Sequence, residues 1–466
     1  MSRDFPETDG LFYADVWPFI NPLLIVTSPV YAVQACQKQD LDKPADLVSF
    51  LHPITGGNTI FTSNGDEWKK ARAVFSSGFN SAYILNQTEH IVQEAEAYVN
   101  VLEEHARTGD IFLLDDVHVK YTMNISGILT LNKRLDALRS TDPFVSAMRN
   151  NIEWHYIGEL KSPVVRWSPL IRILSWYNSR VMNGYIEKVL DQRYKDWREG
   201  MVTAQTHRSG IDLLLAEYIS SRKDKAGQTL EPSFKKWAIP QLRLLFFVGH
   251  DSTSATISYS CFLLSKHPEI LEKLRAEHDE VFGKDLAALP KLLKDNPQLL
   301  NKLSYTIAVI KEVLRLYPPA AGFRLGQPNV YLQDAQGNKY PTEGCRIYII
   351  HQALHRNPKY WKDPDAFIPE RFLVSPEDPL YPVRGAYRPF EHGLRNCLGQ
   401  TLSMLDLRIT LAMVVRRFDF KVAYGEWDQL NGRAGTKTFQ GRREYQIGDG
   451  GAHPADGMPS RVFLRK

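Results

Sequence analysis

The chain has 466 residues, 43% of them hydrophobic and 11% aromatic, which is ample for a large core and excludes a disordered or fibrous protein. Lys and Arg number 57 against 53 Asp and Glu, so the net charge is a mild +4. That balance makes no case for nucleic acid, although it suits an acidic partner or an anionic membrane face. No linker, charge block or internal repeat divides the sequence, so one domain over residues 1–466 is expected in place of the two or three that length alone would give.

Residues 23–27 read as a short strand and 29–33 as the start of a helix. Turn formers crowd residues 53–65 and end in Asn64-Gly65-Asp66, which feeds a helix carrying Trp68 and Arg72. Their i, i+4 spacing puts both on one face, where an indole N–H and a guanidinium can reach one carboxylate together. Surface decoration is the commoner meaning of a WxxxR taken alone. Helical spacing continues over 83–105 and, after a Gly109-Asp110 break, over 110–131. Residues 154–182 are dense in aromatics and arginines, with Pro163 and Pro169 as breakers. Trp167, Trp176 and Tyr177 near Arg166, Arg172 and Arg180 fit a membrane interface or, more commonly, a helix with one buried and one basic face. A helical run at 211–220 separates polar loops at 205–210 and 222–231.

Residues 240–265 read as one long helix with Pro240 tolerated in its first turn. Gly249 is its only glycine, followed by His250-Asp251-Ser252-Thr253. A glycine in a buried helix costs about 1 kcal/mol relative to alanine, and neighbouring hydroxyls loosen the ladder further. The plainer meaning is a kink with capped hydroxyls. Pro268 starts a Glu- and Lys-rich helix that ends near Gly283, and residues 304–316 form another, stopped by Pro318-Pro319. The latter sets Glu312 and Arg315 side by side at i, i+3. Strands are expected at 330–332 and 346–350, flanking a turn at 334–338. Arg371 lies in a proline-bounded loop, a helix follows at 398–418, and Gly-rich terminal strands occupy 445–462.

One stretch organises the rest: Pro389-Phe390-Glu391-His392-Gly393-Leu394-Arg395-Asn396-Cys397-Leu398-Gly399. Its glycines permit close backbone approach or positive φ, Phe390 can shield one face of the cysteine, and the next helix's first-turn amides favour a thiolate. Arg395 can meet a carboxylate. A lone cysteine is usually a small buried hydrophobe. The other reading of these residues is a cysteine that suits a haem iron bound through thiolate, with an arginine for a propionate, and the pattern alone leaves both open. The other cysteines, Cys36, Cys261 and Cys345, are scattered, with no CxxC pair and no secretory apolar run, so a disulfide framework is not expected.

The pattern Phe390-x-x-Gly393-x-Arg395-x-Cys397-x-Gly399 resembles the haem-binding signature of the cytochrome P-450 (haem-thiolate monooxygenase) family. Upstream motifs in the same order extend the resemblance over nearly the whole chain. It implies a mainly α (α+β) fold, a large helical portion around the haem with a small β-rich portion. The cofactor is then haem b (iron protoporphyrin IX), with Cys397 as axial thiolate and metal ligand and Trp68, Arg72, Arg324 and Arg395 on the propionates. In that family the long helix opens beside the iron, and Asp251 with Ser252 occupies the acid-alcohol positions that relay protons to oxygen. Thr253 is placed to share the task. Ser252 departs from the family's usual Thr, keeping the hydroxyl but losing the methyl that fixes its rotamer. Glu312, Arg315 and Arg371 resemble the structural Glu-Arg-Arg triad, and Ser403 and Asp406 replace the usual Ala and Glu.

The implied reaction inserts one oxygen atom of dioxygen into a lipophilic small molecule. No GxGxxG segment is present, so electrons are expected from a separate NADPH-dependent flavoprotein reductase. Leu316-Tyr317-Pro318-Pro319 and Arg395-Asn396-Cys397 resemble eukaryotic microsomal members, in particular fungal ones that tailor secondary metabolites. Such members work at the endoplasmic reticulum membrane, on its cytoplasmic face, behind an N-terminal anchor. The longest apolar runs here fall far short of the ~20 residues that span a bilayer. The chain opens at Asp4-Phe5 and reaches Val16-Trp17-Pro18-Phe19, which resembles the strand region after that anchor. The expectation is a truncated anchor or docking without a spanning helix. Two rivals are a haem-thiolate isomerase or dehydratase acting on hydroperoxides, against which the Gly-x-Asp-Ser-Thr run argues, and a non-catalytic haem protein that binds lipid.

Overall fold

The computed structural model describes residues 9–15, 21–156, 168–201, 209–222, 227–432 and 437–465. Asp4-Phe5, the 16–19 segment, Pro163, Arg166 and Trp167 lie outside the described residues, as do parts of the polar loops at 205–210 and 222–231. Two compact units emerge, one from residues 1–47 with 303–400 and the other from 48–302 with 401–466.

In the first unit, β1 (Leu11–Ala14), β2 (Leu23–Val26), β4 (Gly322–Leu325) and β7 (Arg346–Ile349) form a sheet of order β1-β2-β7-β4. β2 is a continuous apolar run, as a central strand buried on both faces requires, and pairs in parallel with β7 from Leu23 opposite Arg346. Leu24, Val26, Ile347 and Ile349 from these strands join Tyr31, Cys36, Leu332 and Trp361 in one core. The strand expected at 330–332 exists as β5 (Tyr331–Gln333), but its partner is β6 (Lys339–Pro341), not the 346–350 strand. The Asp334–Asn338 turn explains this: Asn338 N–H donates to Asp334 Oδ1 at 2.8 Å and reverses the chain at once.

The second unit is helical. Prolines open its helices Pro169–Arg198, Pro232–Lys266 and Pro268–Phe282, where a missing N–H costs nothing. Gly283, at φ +75, caps the last of these. The long helix Pro232–Lys266 thus begins two turns earlier than expected, and Pro240 sits inside it rather than in its first turn. Its main neighbour is the helix Leu114–Leu131, which follows the short strand β3 (Phe112–Leu113). Two small sheets complete the unit. β3, β11 (Pro459–Leu464) and β8 (Phe418–Val422) form one, with β11 central, and β9 (Gln446–Asp449) with β10 (Gly451–Pro454) forms a hairpin.

Helix Gln400–Val414 carries a buried acid, Asp406. Tyr121 donates to its Oδ1 at 3.0 Å and Thr410 at 3.2 Å, but no cation is paired with it among the described residues. Burial pushes its carboxyl up to about 7 against those two hydrogen bonds. The folded value lies above the unfolded one of about 3.9, so the stabilising contribution is complete below the lower value and is lost as pH rises through the upper. Asp406→Asn keeps an acceptor for Tyr121 without a titrating proton. It is expected to flatten the fall in melting temperature between about pH 4 and 7 and to melt above the wild type at the alkaline end. An unchanged slope would assign the titration to another group.

Candidate functional site

The cysteine loop belongs to the first unit. Cys397 N–H donates to the Phe390 carbonyl at 2.9 Å, and Asn396 N–H to the Gly393 carbonyl at 3.1 Å, closing a tight turn. Gly393 has φ +89, and a Cβ there would stand 2.4 Å from the Cys36 carbonyl oxygen, so both conformation and packing demand glycine. Helix Gln400–Val414 starts three residues after Cys397, slightly later than the expected position 398. Among the described residues Cys397 is the only exposed cysteine. Burial raises the thiols of Cys36 and Cys261 to about 12, and burial also raises Cys345. Those three are core atoms; Cys397 alone offers its sulfur.

Around this loop the unit gathers charge. Arg324 and Arg388 are fully buried, and both face Glu391, Arg388 by a hydrogen bond of 3.1 Å and Arg324 at 3.7 Å. His351 meets the other Glu391 oxygen through Nε2 at 2.6 Å and the Ala320 carbonyl through Nδ1 at 3.0 Å. Both of its partners are acceptors. Burial pushes the Glu391 carboxyl up, but His351, Arg388 and Arg324 together hold it well below the usual carboxylate range. Burial, with Arg324 nearby, brings the Lys43 amine down to about 7. Arg395, nearly buried, faces Asp42 at 3.9 Å. Arg324 and Arg388 thus share the Glu391 carboxylate with His351. Among the described residues, Arg324 Nε and Nη2 and Arg388 Nε and Nη1 are buried without a hydrogen-bond acceptor.

An exposed cysteine beside buried guanidiniums in want of anionic oxygen fits a haem, which brings one iron and two carboxylates. Sequence reasoning had named Cys397, Arg324 and Arg395 but missed Lys43, Glu391, His351 and Arg388. Glu391 and Arg388 lie in or next to the cysteine motif; the other two come from far along the chain.

The loop is tied to a buried ion network. Arg315 spends all five N–H groups: Nε and Nη2 on Glu312 at 2.7 Å each, and the rest on the His355, Pro364 and Ala366 carbonyls at 2.7–2.9 Å. Arg371 Nε donates to Glu312 at 3.2 Å, and Ile368 N–H at 3.0 Å. From there His355 carries the constraint onward. Its Nδ1 faces the Arg315 carbonyl at 3.2 Å, and its Nε2 accepts Arg388 N–H at 2.9 Å, just ahead of the cysteine turn. Only a neutral Nδ1–H imidazole satisfies both, and burial pulls His355 well below the ordinary histidine value.

The remaining named residues belong to the second unit. Trp68 and Arg72 lie one turn apart, half-buried, on helix Gly65–Ser76. The long helix runs unbroken through Gly249, whose lack of a side chain has a packing cause: a Cβ would stand 2.8 Å from Ser126 Oγ. Ser252 is half-buried, with its hydroxyl on the Val248 carbonyl at 3.3 Å, while Val248 beside it is exposed. Asp251 and Thr253 turn to the buried side. Asp251 Oδ1 lies 3.3 Å from His453 Nε2, a partner sequence reasoning missed because it sits 202 residues away.

Comparison with known proteins follows the same line. The sequence model of the cytochrome P450 family matches residues 14–438. A cytochrome P450 monooxygenase of Polytolypa hystricis, polC, is 37% identical over 99% of this chain and 82% of its own length. Another, acrF of Aspergillus aculeatus, is 30% identical over 98% and 94%. Among solved structures, the haem domain of cytochrome P450DA superposes with a TM-score of 0.77 at 18% identity, covering 100% of this chain and 92% of that one, a likeness of fold.

Glu312→Ala would orphan two buried guanidiniums at a cost of about 3–5 kcal/mol. His355→Ala removes the tie to the cysteine loop without leaving a charge, at about 1–3 kcal/mol. The expected order of Soret-to-protein absorbance on purification is wild type, then His355→Ala, then Glu312→Ala with little haem. A fully loaded Glu312→Ala protein of normal stability would show the network to be dispensable.

Proposed function

The chain belongs to the cytochrome P450 family, and on that premise we propose that Cys397 is the thiolate ligand of its haem iron and that Asp251 and Ser252 manage protons for the oxygen chemistry. Members of this family hold haem on a cysteine thiolate, use dioxygen and a redox partner, and act on small molecules. When bound, the haem supplies the oxidising chemistry, and a thiolate favours O–O cleavage. The observation that carries the assignment is the placement of Cys397, exposed on a loop fixed through His355, in the unit where buried N–H groups of Arg324 and Arg388 lack an acceptor among the described residues.

The chain's own residues then bind, orient and move protons. Arg395, Arg324 and Lys43, with Trp68 and Arg72, would hold the propionates, Glu391 keeping Arg324 in place. Ser252 has the hydroxyl suited to proton delivery, because its bond to Val248 is long and its neighbour Thr253 is buried. Both units are read as parts of one catalytic domain, since the family match spans both.

The substrate is proposed to be a lipophilic small molecule of fungal secondary metabolism, a reading supported by the motif style and by the two fungal monooxygenases that match nearly the whole chain. Electrons are assigned to an NADPH-dependent flavoprotein reductase. Localisation at the cytoplasmic face of the endoplasmic reticulum membrane finds support on helix Pro169–Arg198. Leu170, Ile173, Trp176 and Tyr177 are exposed by 58–63% along one stripe, with Arg180 over the Trp176 ring at 5.8 Å. Among the described residues no helix is long and apolar enough to cross a membrane.

Two measurements test the assignment. Cys397→Ala is expected to lose the red-shifted Soret band of the reduced carbonyl complex, while single replacements of Cys36, Cys261 and Cys345 keep it. An unaltered band in Cys397→Ala would sink the ligand. Ser252→Ala is expected to raise peroxide released per NADPH consumed while leaving that band intact, and Ser252→Thr to preserve coupling. Loss of coupling in Thr253→Ala but not in Ser252→Ala would move the relay hydroxyl by one residue.

A further inference from the structure

Inside the second unit, Asp251 is one end of a buried chain of polar side chains. His453, on β10, points Nε2 at Asp251 Oδ1 (3.3 Å) and Nδ1 at Asp115 Oδ2 (2.8 Å). Ser258, one helical face along from Asp251, donates to Asp115 Oδ1 at 2.8 Å. His118 Nδ1 lies 2.7 Å from Ser258 Oγ, and the Tyr98 hydroxyl 2.6 Å from His118 Nε2. All six side chains are buried. The hairpin that brings His453 is pressed onto the acid. Its turn residue Gly450 has φ +88, and a Cβ there would stand 2.1 Å from Asp251 Oδ1.

The hydrogen-bond directions at His453 close in one way. Both carboxylates accept, so His453 donates from both nitrogens and carries a positive charge between them. Burial alone would push its imidazole down, and Asp115 and Asp251 reverse this, leaving it well above the ordinary histidine value. His118, pushed down to about 3 by burial, is neutral; with Ser258 donating to Asp115, it donates from Nδ1 to Ser258 and accepts at Nε2 from Tyr98. The other groups facing this cluster have partners of their own. His250, pushed down to about 4 by burial, donates from Nδ1 to the Phe246 carbonyl at 2.8 Å. Arg149, on helix Pro143–Tyr156, is paired with Asp116, and the Tyr424 hydroxyl donates to the Ala455 carbonyl at 2.8 Å.

We propose that His453 is a positioning residue for proton handling: a charged latch, carried by the C-terminal hairpin and backed by Asp115, Ser258, His118 and Tyr98, that fixes the orientation of the Asp251 carboxylate. The proposal rests on the role assigned above to Asp251 and Ser252. It adds that this role is set by the hairpin, so that substitutions in β9–β10 alter proton handling without touching the haem ligand.

Two readouts test it. In haem-loaded protein labelled with ¹⁵N-histidine, both ring nitrogens of His453 (identified by their loss in His453→Gln) should stay in the imidazolium range from about pH 6 to 8. In Asp115→Asn, which removes one carboxylate but keeps the ring, deprotonation should move into that window. Neutral-form shifts for wild-type His453 throughout the window would overturn the latch. The second readout is peroxide formed per dioxygen consumed by haem-loaded enzyme driven by an NADPH-dependent flavoprotein reductase. His453→Gln is expected to raise this fraction severalfold. In Asp115→Asn it should climb with pH, as the latch loses its proton, while the wild type stays flat. If Ser252→Ala raises the fraction and both His453→Gln and Asp115→Asn leave it at the wild-type value, the latch is refuted and the Asp251–Ser252 assignment stands. If none of the three changes it, that assignment falls and the latch falls with it.

Discussion

A carboxylate cannot remain charged away from water unless every lone pair it exposes is met by a donor, and Glu312 shows what that constraint builds. Its two oxygens receive two N–H groups of Arg315, one of Arg371 and the backbone N–H of Ile368. Arg315 in turn holds three carbonyls between residues 355 and 366. The ion network thus works as a clamp on backbone, and its contribution to net stability is secondary, since burying ions costs nearly what their attraction returns. What it delivers is geometry. His355 passes that geometry to Arg388, and the cysteine turn follows within ten residues.

The same constraint sorts the other buried acids. Glu391, beside two guanidiniums and an imidazole with both nitrogens engaged, stays ionised. Asp115, facing His453, is held below its ordinary value although fully buried. Among the described residues Asp406 has only the hydroxyls of Tyr121 and Thr410, and neutral donors do not offset its desolvation, so it retains a proton near neutrality. Three buried carboxyls, similar in chemistry, thus differ in charge because of what stands opposite them. A cation decides the first two, and its absence decides the third.

Much of the site was legible because its signals are local. The turn around Gly393, the i, i+3 pair Glu312–Arg315 and the i, i+4 pair Trp68–Arg72 are set by chain geometry over a few residues, so residue type and spacing suffice to read them. The helix start at Pro268 follows equally from a missing N–H, whereas Pro169, read as a breaker, also opens a helix. Reading Pro240 by the same rule failed because Pro232 already supplied the start, and tertiary packing carried the helix on through a second proline. The partner of residues 331–333 was not legible for a related reason. Alternation identifies a strand, but the Asp334 side chain closing the turn chooses its partner.

By itself the sequence determined the helical class, the cysteine that can carry a thiolate, the arginines beside it and the Gly-His-Asp-Ser-Thr run. Each is written in residues close together, where covalent geometry limits the outcomes. Only tertiary structure decided what faces these groups. Lys43, Arg324 and His351 converge near Glu391 from separate segments of the chain, and His453 reaches Asp251 across 202 residues. The physical reason is that charge and protonation depend on distance through space, which a buried fold sets to a few ångströms irrespective of separation along the chain.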